Sequence, residues 1–324
     1  MLAPVLQAEA PADLRIVAEG LRFPEGPVPL PDGSVLVVEI AGQALTRVQS
    51  DGRKQVVAEL DGGPNGAALG PEDWVYVCNS GGWRYTTEAN GWQRPTAQAA
   101  RPGWIERVSL RTGEVERLYE RCGRHALRAP NDLVFDGRGG FYFTDHGKRR
   151  PRSHVLGSLY YARDDGSGIV EVVSGMLTPN GVGLAADGST VYVAETVPRR
   201  LWAFELEAPG RVRREPWPSP NGGRLVAGLP DAYYPDSLAI DSAGNVCVAT
   251  FNGGGIWEIT PDGTRRVFRP LPEFYVTNVA FGGPQLDVAI VTLSATGRLA
   301  AFAWPRPGQA LPHLNRPVSH RAVA

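Results

Sequence analysis

The stretch NDLVFDGRGGFYFTD, residues 131–145, has a polar lead, a short apolar run, a turn built on Asp136-Gly137 and a second apolar run ending on a polar residue. Two such runs joined by an Asp-Gly turn read as a β-hairpin. Five further copies carry the same plan. They begin at Glu25 (EGPVPLPDGSVLVVE), Asn65 (NGAALGPEDWVYVCN), Asn180 (NGVGLAADGSTVYVAE), Asp236 (DSLAIDSAGNVCVAT) and Asn278 (NVAFGGPQLDVAIVT). Successive copies are 40, 66, 49, 56 and 42 residues apart. A repeat of about 40 to 50 residues, each supplying four strands, is the signature of a propeller blade. A second hairpin follows the lead hairpin, as in residues 44–60, 158–173 and 256–268. The last unit lacks its outermost strand, and residues 15–21 (RIVAEGL) echo 55–60 (QVVAEL), the outermost strand of the first unit. The fold expected is therefore all-β, a six-bladed β-propeller closed by the N-terminal strand, which leaves no open sheet edge.

The rest of the chain agrees with one such domain over 1–324, with a core at 14–304, an insertion at 80–103 and a tail at 305–324. Its 39 Gly and 28 Pro are spread throughout, and no stretch repeats apolar residues at helical period over ten or more positions. Hydrophobic residues at 43% and charged residues at 21% describe a globular chain. A net charge of −1 without a basic block excludes a nucleic-acid partner. No apolar run approaches the roughly 18 residues of a membrane span, and residues 1–12 lack a basic region ahead of an apolar one. The three cysteines, Cys78, Cys122 and Cys247, form no CxxC pair, which points to a reducing compartment, the cytoplasm. A monomer or homodimer acting on a small molecule is expected.

In a propeller the first strand of every blade lines the central channel, so the six leading residues converge on one ring. All six, Glu25, Asn65, Asn131, Asn180, Asp236 and Asn278, bear oxygen where a core strand would place Val or Ile. Taken singly, each reads as a turn residue. Taken together, converging carboxylate and amide oxygens suit one hard divalent cation, and two carboxylates balance its charge. Calcium leads, with magnesium, manganese, iron(II) or zinc as alternatives. No Gly-x-Ser-x-Gly elbow, reactive cysteine pair or phosphate-binding loop competes with it. Cys78 and Cys247 sit within apolar second strands and read as core.

The motifs around four of these residues carry a resemblance: Phe23-Pro24-Glu25-Gly26-Pro27, Pro130-Asn131-Asp132-Leu133, Pro179-Asn180-Gly181 and Pro235-Asp236-Ser237-Leu238. In this order, and over roughly residues 14–304, the chain resembles the regucalcin (senescence marker protein)/gluconolactonase family, its Phe-Thr-Asp-His context at residues 143–146 being closer to bacterial gluconolactonases. The resemblance implies a divalent-metal-dependent hydrolase that opens a lactone ring. Its metal ligands would be Glu25, Asn131, Asn180 and Asp236, with Asp236 as general base and Asp132, beside the metal, as a second catalytic residue. Animal members place an Arg two residues before the Asn of the Pro-Asn-Asp motif; here that position is Ala129, with Arg128 one step earlier. Other candidates for substrate contact are Asn65, Asn278, Arg128, His146 and Phe251. The insertion adds Trp83 and Tyr85, with Trp92 and the adjoining Trp104, as a lid or a packing element. A phosphotriesterase-like hydrolase and a non-enzymatic, metal-stabilised binding propeller are the competing readings.

Overall fold

The computed structural model describes residues 5–150, 152–230 and 233–316. Six sheets of at least four strands succeed one another along the chain, and each begins at the channel with one of the six leading segments: Pro24–Pro29, Pro64–Leu69, Pro130–Phe135, Pro179–Leu184, Tyr234–Ile240 and Val276–Gly282. These are blades one to six. Among the described residues the helical content is a single 3-10 turn, Pro71–Asp73, and no helix is long and apolar enough to cross a membrane.

The second strand of a blade shows why so many short apolar runs were needed. It is covered on both faces, because a neighbouring blade packs on either side. In Val35–Glu39 the side chains of Leu36 and Val38 enter a cluster with Leu69, Val75 and Val77 of blade two. Val35 and Val37 enter another with Ile290 and Leu299 of blade six. The two-residue period of a strand thus divides one run between two cores. Six such clusters, one between each pair of adjacent blades, make up the apolar interior. Cys78 and Cys247 are fully buried in two of them.

The first and last blades meet through strand exchange. Arg15–Ala18 pairs antiparallel with Arg298–Ala303 as the outermost strand of blade six. Two features were not expected from the sequence. Val5–Gln7 runs parallel to Arg266–Pro270 and extends blade five by one strand. A second hairpin, Lys148–Arg150 with Ser153–Val155, leaves blade three beside the expected insertion. The tail is ordered against the body through residue 316: Gln309 donates its backbone N–H to Ile240 and its side-chain amide to Leu184, both at 2.9 Å. Its remainder, 317–324, lies outside the described residues.

The channel between the blades has two unlike ends. Beneath the leading residues is a cavity of about 110 Å³ lined by aliphatic side chains from every blade, among them Val28, Leu69, Leu133, Val182, Leu238 and Val279. Leu311, Pro312 and Leu314 of the tail close its far side. At the other end stand the polar leads and the two extra hairpins.

Candidate active site

Each inner strand is irregular at its leading residue. The register with the second strand slips between Glu25 and Val28, Pro64 and Gly66, Pro130 and Leu133, Pro179 and Val182, Pro235 and Leu238, and Val276 and Asn278. A bulge at this place re-aims one side chain without disturbing the rest of the ladder. Proline precedes the lead in five blades, as Pro24, Pro64, Pro130, Pro179 and Pro235. It fits there because an inner strand is an edge strand with nothing to pair with on its channel side. Phe23 and Thr178, two residues ahead of Glu25 and Asn180, hold left-handed backbone with φ of +56° and +55°. For side chains of this size such angles are strained, and they accompany functional sites.

Adjacent inner strands nearly touch. A Cβ on Gly26 would lie 2.6 Å from the Ala67 nitrogen, and one on Gly66 would lie 2.4 Å from the Asn131 carbonyl oxygen. No other residue fits at these two positions. Asn278 donates its amide to Glu25 at 2.9 Å, joining blade six to blade one. Asp132 accepts from the N–H of Val182 at 3.4 Å, joining blade three to blade four. All six leads and Asp132 are buried.

The charges in this ring are crowded. Burial pushes the Glu25 carboxyl up to about 7, against hydrogen bonds from Thr277, Asn278 and Gly26 that favour its ionised form. Burial likewise pushes Asp132 up to about 7, with the charge of Glu25 adding to it. Asp236 is driven well above the usual carboxylate range, first by burial and then by Glu25. Three carboxyls with no cation beside them resist ionising together. The Oδ1 atoms of Asn131 and Asn180 are buried and accept no hydrogen bond from any described residue, a costly condition for a polar atom. Among the described residues no three His, Cys, Asp or Glu side chains suffice to hold a metal ion. A fit to a cation therefore depends on the two amide oxygens as well as the carboxylates, and an all-oxygen set of this kind matches a hard divalent ion.

The polar residue ending each second strand has a role that its recurrence already hinted at. Glu39 accepts from the Arg22 N–H at 2.6 Å, and Asn79 from Gly63 at 2.8 Å. Asp145 accepts from Arg128, Ala129 and Gly147 at 2.6–3.0 Å, and Glu195 from Leu177 at 2.7 Å. In blades one to four these side chains tie down the loop that delivers the same blade's lead. Their repetition at one position was the signal available in the sequence.

The remaining candidates divide. Asn65 takes its place in the ring, whereas Asn278 is engaged with Glu25. Arg128 is exposed, and the bond it makes here comes from its backbone. Phe251 stacks on Tyr275 with centroids 4.1 Å apart. His146 presents a buried Nδ1 without a partner among the described residues, and burial, then the charges of His154 and Lys148, pushes it down to about 4, so it is neutral at pH 7. Lys148 beside it is buried and donates to the Ser80 carbonyl at 2.7 Å. Trp104 proves to be a packing residue of blade two: it is buried, donates Nε1 to Glu106, and lies under the guanidinium groups of Arg101 and Arg117. Trp83–Thr87 and Gln93–Gln98 form the inserted hairpin, with Trp83 paired to Gln98 and Tyr85 packed on Phe23 at 5.0 Å.

Comparison with known proteins places this architecture. A crystal structure of a calcium-binding protein, regucalcin from Agrobacterium tumefaciens, superposes with a TM-score of 0.69 at 17% identity, covering 98% of this chain and 100% of that one. At that identity the likeness concerns the fold. Lactonase drp35 of Staphylococcus haemolyticus is 28% identical over 245 residues, 75% of this chain and 67% of that protein. Pentonolactonase XacC of Haloferax volcanii is 32% identical over 188 residues, 56% of this chain and 60% of that protein, so the chain spans about two thirds or less of these relatives. The SMP-30/gluconolactonase/LRE-like region matches residues 23–295, from Phe23 ahead of the first lead to Ala295 beyond the last, and the chain belongs to that family.

Proposed function

We propose that the chain is a divalent-cation-dependent lactonase whose centre is formed by Glu25, Asn131, Asn180 and Asp236. The observation that carries this reading is the pair of unpartnered amide oxygens on Asn131 and Asn180, buried beside carboxyls that are reluctant to ionise without a positive charge. The names of two relatives, a lactonase and a pentonolactonase, support a lactone as substrate, and the calcium-binding regucalcin supports calcium as the ion. When bound, the cation supplies an electrophile for the lactone carbonyl and offsets the negative charge that develops on its oxygen.

The chain's own residues supply the rest. Asp236 takes the proton of the attacking water through its ring carboxylate. Asp132 is held by the N–H groups of Leu133 and Val182 and is a positioning residue beside it. Asn278 and the Gly26 N–H orient Glu25. His146, neutral and with Nδ1 unpartnered, is an available contact for a polar substrate group at the mouth. The test is proton release near pH 7 from a panel of aldonolactones, aliphatic lactones and aromatic lactones, using protein stripped by chelator and reloaded with single metals. Metal-restored hydrolysis is expected. A cation-dependent rise in melting temperature without turnover of any lactone would make the ring a structural site.

A further inference from the structure

The inserted hairpin does not stand free above blade two. The Gln93 N–H donates to the Ala295 carbonyl of blade six at 2.8 Å, and its side-chain amide donates to Leu21, ahead of blade one, at 3.1 Å. Gln98 donates to Gly147 of blade three at 3.3 Å and accepts from the Arg149 N–H at 2.8 Å. The hairpin thus crosses the mouth and is pinned on several sides of it. Near the middle of its first strand, opposite Pro95, stands Tyr85. Its ring rests on Phe23, the strained residue that leads to Glu25.

Through Phe23 the phenol sits beside the strand that carries Glu25. Burial, then the charges of Glu25 and Asp236, raise its proton affinity. Its hydroxyl makes no hydrogen bond to any described residue. The groups converging below are mainly acceptors, and the side-chain amides of Asn278 and Asn180 are already engaged, with Glu25 and with Thr196. A hydroxyl donor above a ring rich in acceptors has an evident use in ester cleavage, where the departing oxygen gathers negative charge.

We propose that Tyr85 is a catalytic donor: its hydroxyl gives a hydrogen bond to the ring oxygen of the lactone as the bond between that oxygen and the carbonyl carbon breaks. This rests on the lactonase reading above. A water oxygen bonds to the carbonyl carbon, one water proton passes to Asp236, the carbon–ring oxygen bond breaks, and the freed oxygen takes up that proton. Tyr85 retains its own proton, and the sum is lactone plus water giving a hydroxy acid.

The experiment compares Tyr85→Phe with the wild type on δ-valerolactone, whose leaving oxygen is a poor alkoxide, and on dihydrocoumarin, whose leaving oxygen is a phenoxide. Removing a donor of this kind lowers kcat by about 100-fold where the leaving oxygen most needs it. The phenoxide substrate should lose about 3-fold or less, since little help is required there. KM and the cation-dependent melting temperature should stay near wild type, because the ring of residue 85 still packs on Phe23. Equal losses on both substrates, or none, would overturn the donor role while leaving the lactonase reading intact. A wild type that turns over neither substrate with any cation would overturn both.

Discussion

The two ends of the channel are built from the same six strands and have opposite characters. In blade three the change occurs inside one strand: Asn131 stands among the polar leads, while Asp132 and Leu133 already line the cavity beneath. The mouth gathers costs: bulged register, left-handed Phe23 and Thr178, three crowded carboxyls and unpartnered amide oxygens. The far end is closed by aliphatic side chains and by the tail, whose Arg306 is paired with buried Asp241 at 2.8 Å and Glu258 at 2.5 Å. The difference teaches that chemistry and stability are separated along the channel axis. Strain is carried where the channel opens, and packing is completed where it is sealed.

If that separation is real, substitutions at the two ends should fail in different ways. The largest effect is expected for Asp236→Asn, which keeps an oxygen ligand but removes the base; kcat should fall by about 10³-fold or more, with cation binding largely retained in calorimetry. Asp145→Ala leaves three backbone N–H groups, two of them buried, without their acceptor. It should cost about 2–4 kcal/mol in denaturant unfolding and lower turnover as well, since the loop before Asn131 loosens. Phe281→Ala, at the sealed end near Gly308, should cost about 3 kcal/mol of stability with kcat unchanged. A large loss of kcat in Phe281→Ala would break the comparison.

The smallest effect sharpens it through pH. Glu25 and Asp132 have folded values of about 7, above their ordinary values of 4.5 and 3.8. Between those values the folded chain binds more protons than the unfolded one, so chelated protein should lose stability as pH rises from about 4 through about 7. Added calcium should therefore raise the melting temperature more at pH 8 than at pH 5. The reverse order would mean that the ring carboxyls are not the cation's ligands.

Much of this was legible in the sequence because a propeller repeats its signals. One polar lead before one apolar strand says little; the same pattern at Glu25, Asn65, Asn131, Asn180, Asp236 and Asn278 marks both the blades and the ring. The alternating burial of Leu36 and Val37 in different clusters follows from the same repetition. What could not be read was whatever occurs once. The strand Val5–Gln7 has no echo elsewhere, and its parallel pairing to blade five depends on a distant edge. The packing of Leu311 and Leu314 under the channel is likewise a single event. Trp104 lay next to a loop rich in aromatics, and only its partners, Glu106, Arg101 and Arg117, identify it as part of blade two.

The central claim is that the oxygen ring at the mouth holds one cation on which hydrolysis depends. Its most direct test is a calcium titration of chelator-stripped protein, following lactone turnover and bound metal in the same samples. Turnover should rise from the stripped baseline and saturate at one ion per chain, with Asn180→Ala requiring about 10-fold or more calcium to reach its own plateau. Turnover that survives stripping unchanged, or a titration that Asn180→Ala leaves unmoved, would contradict it.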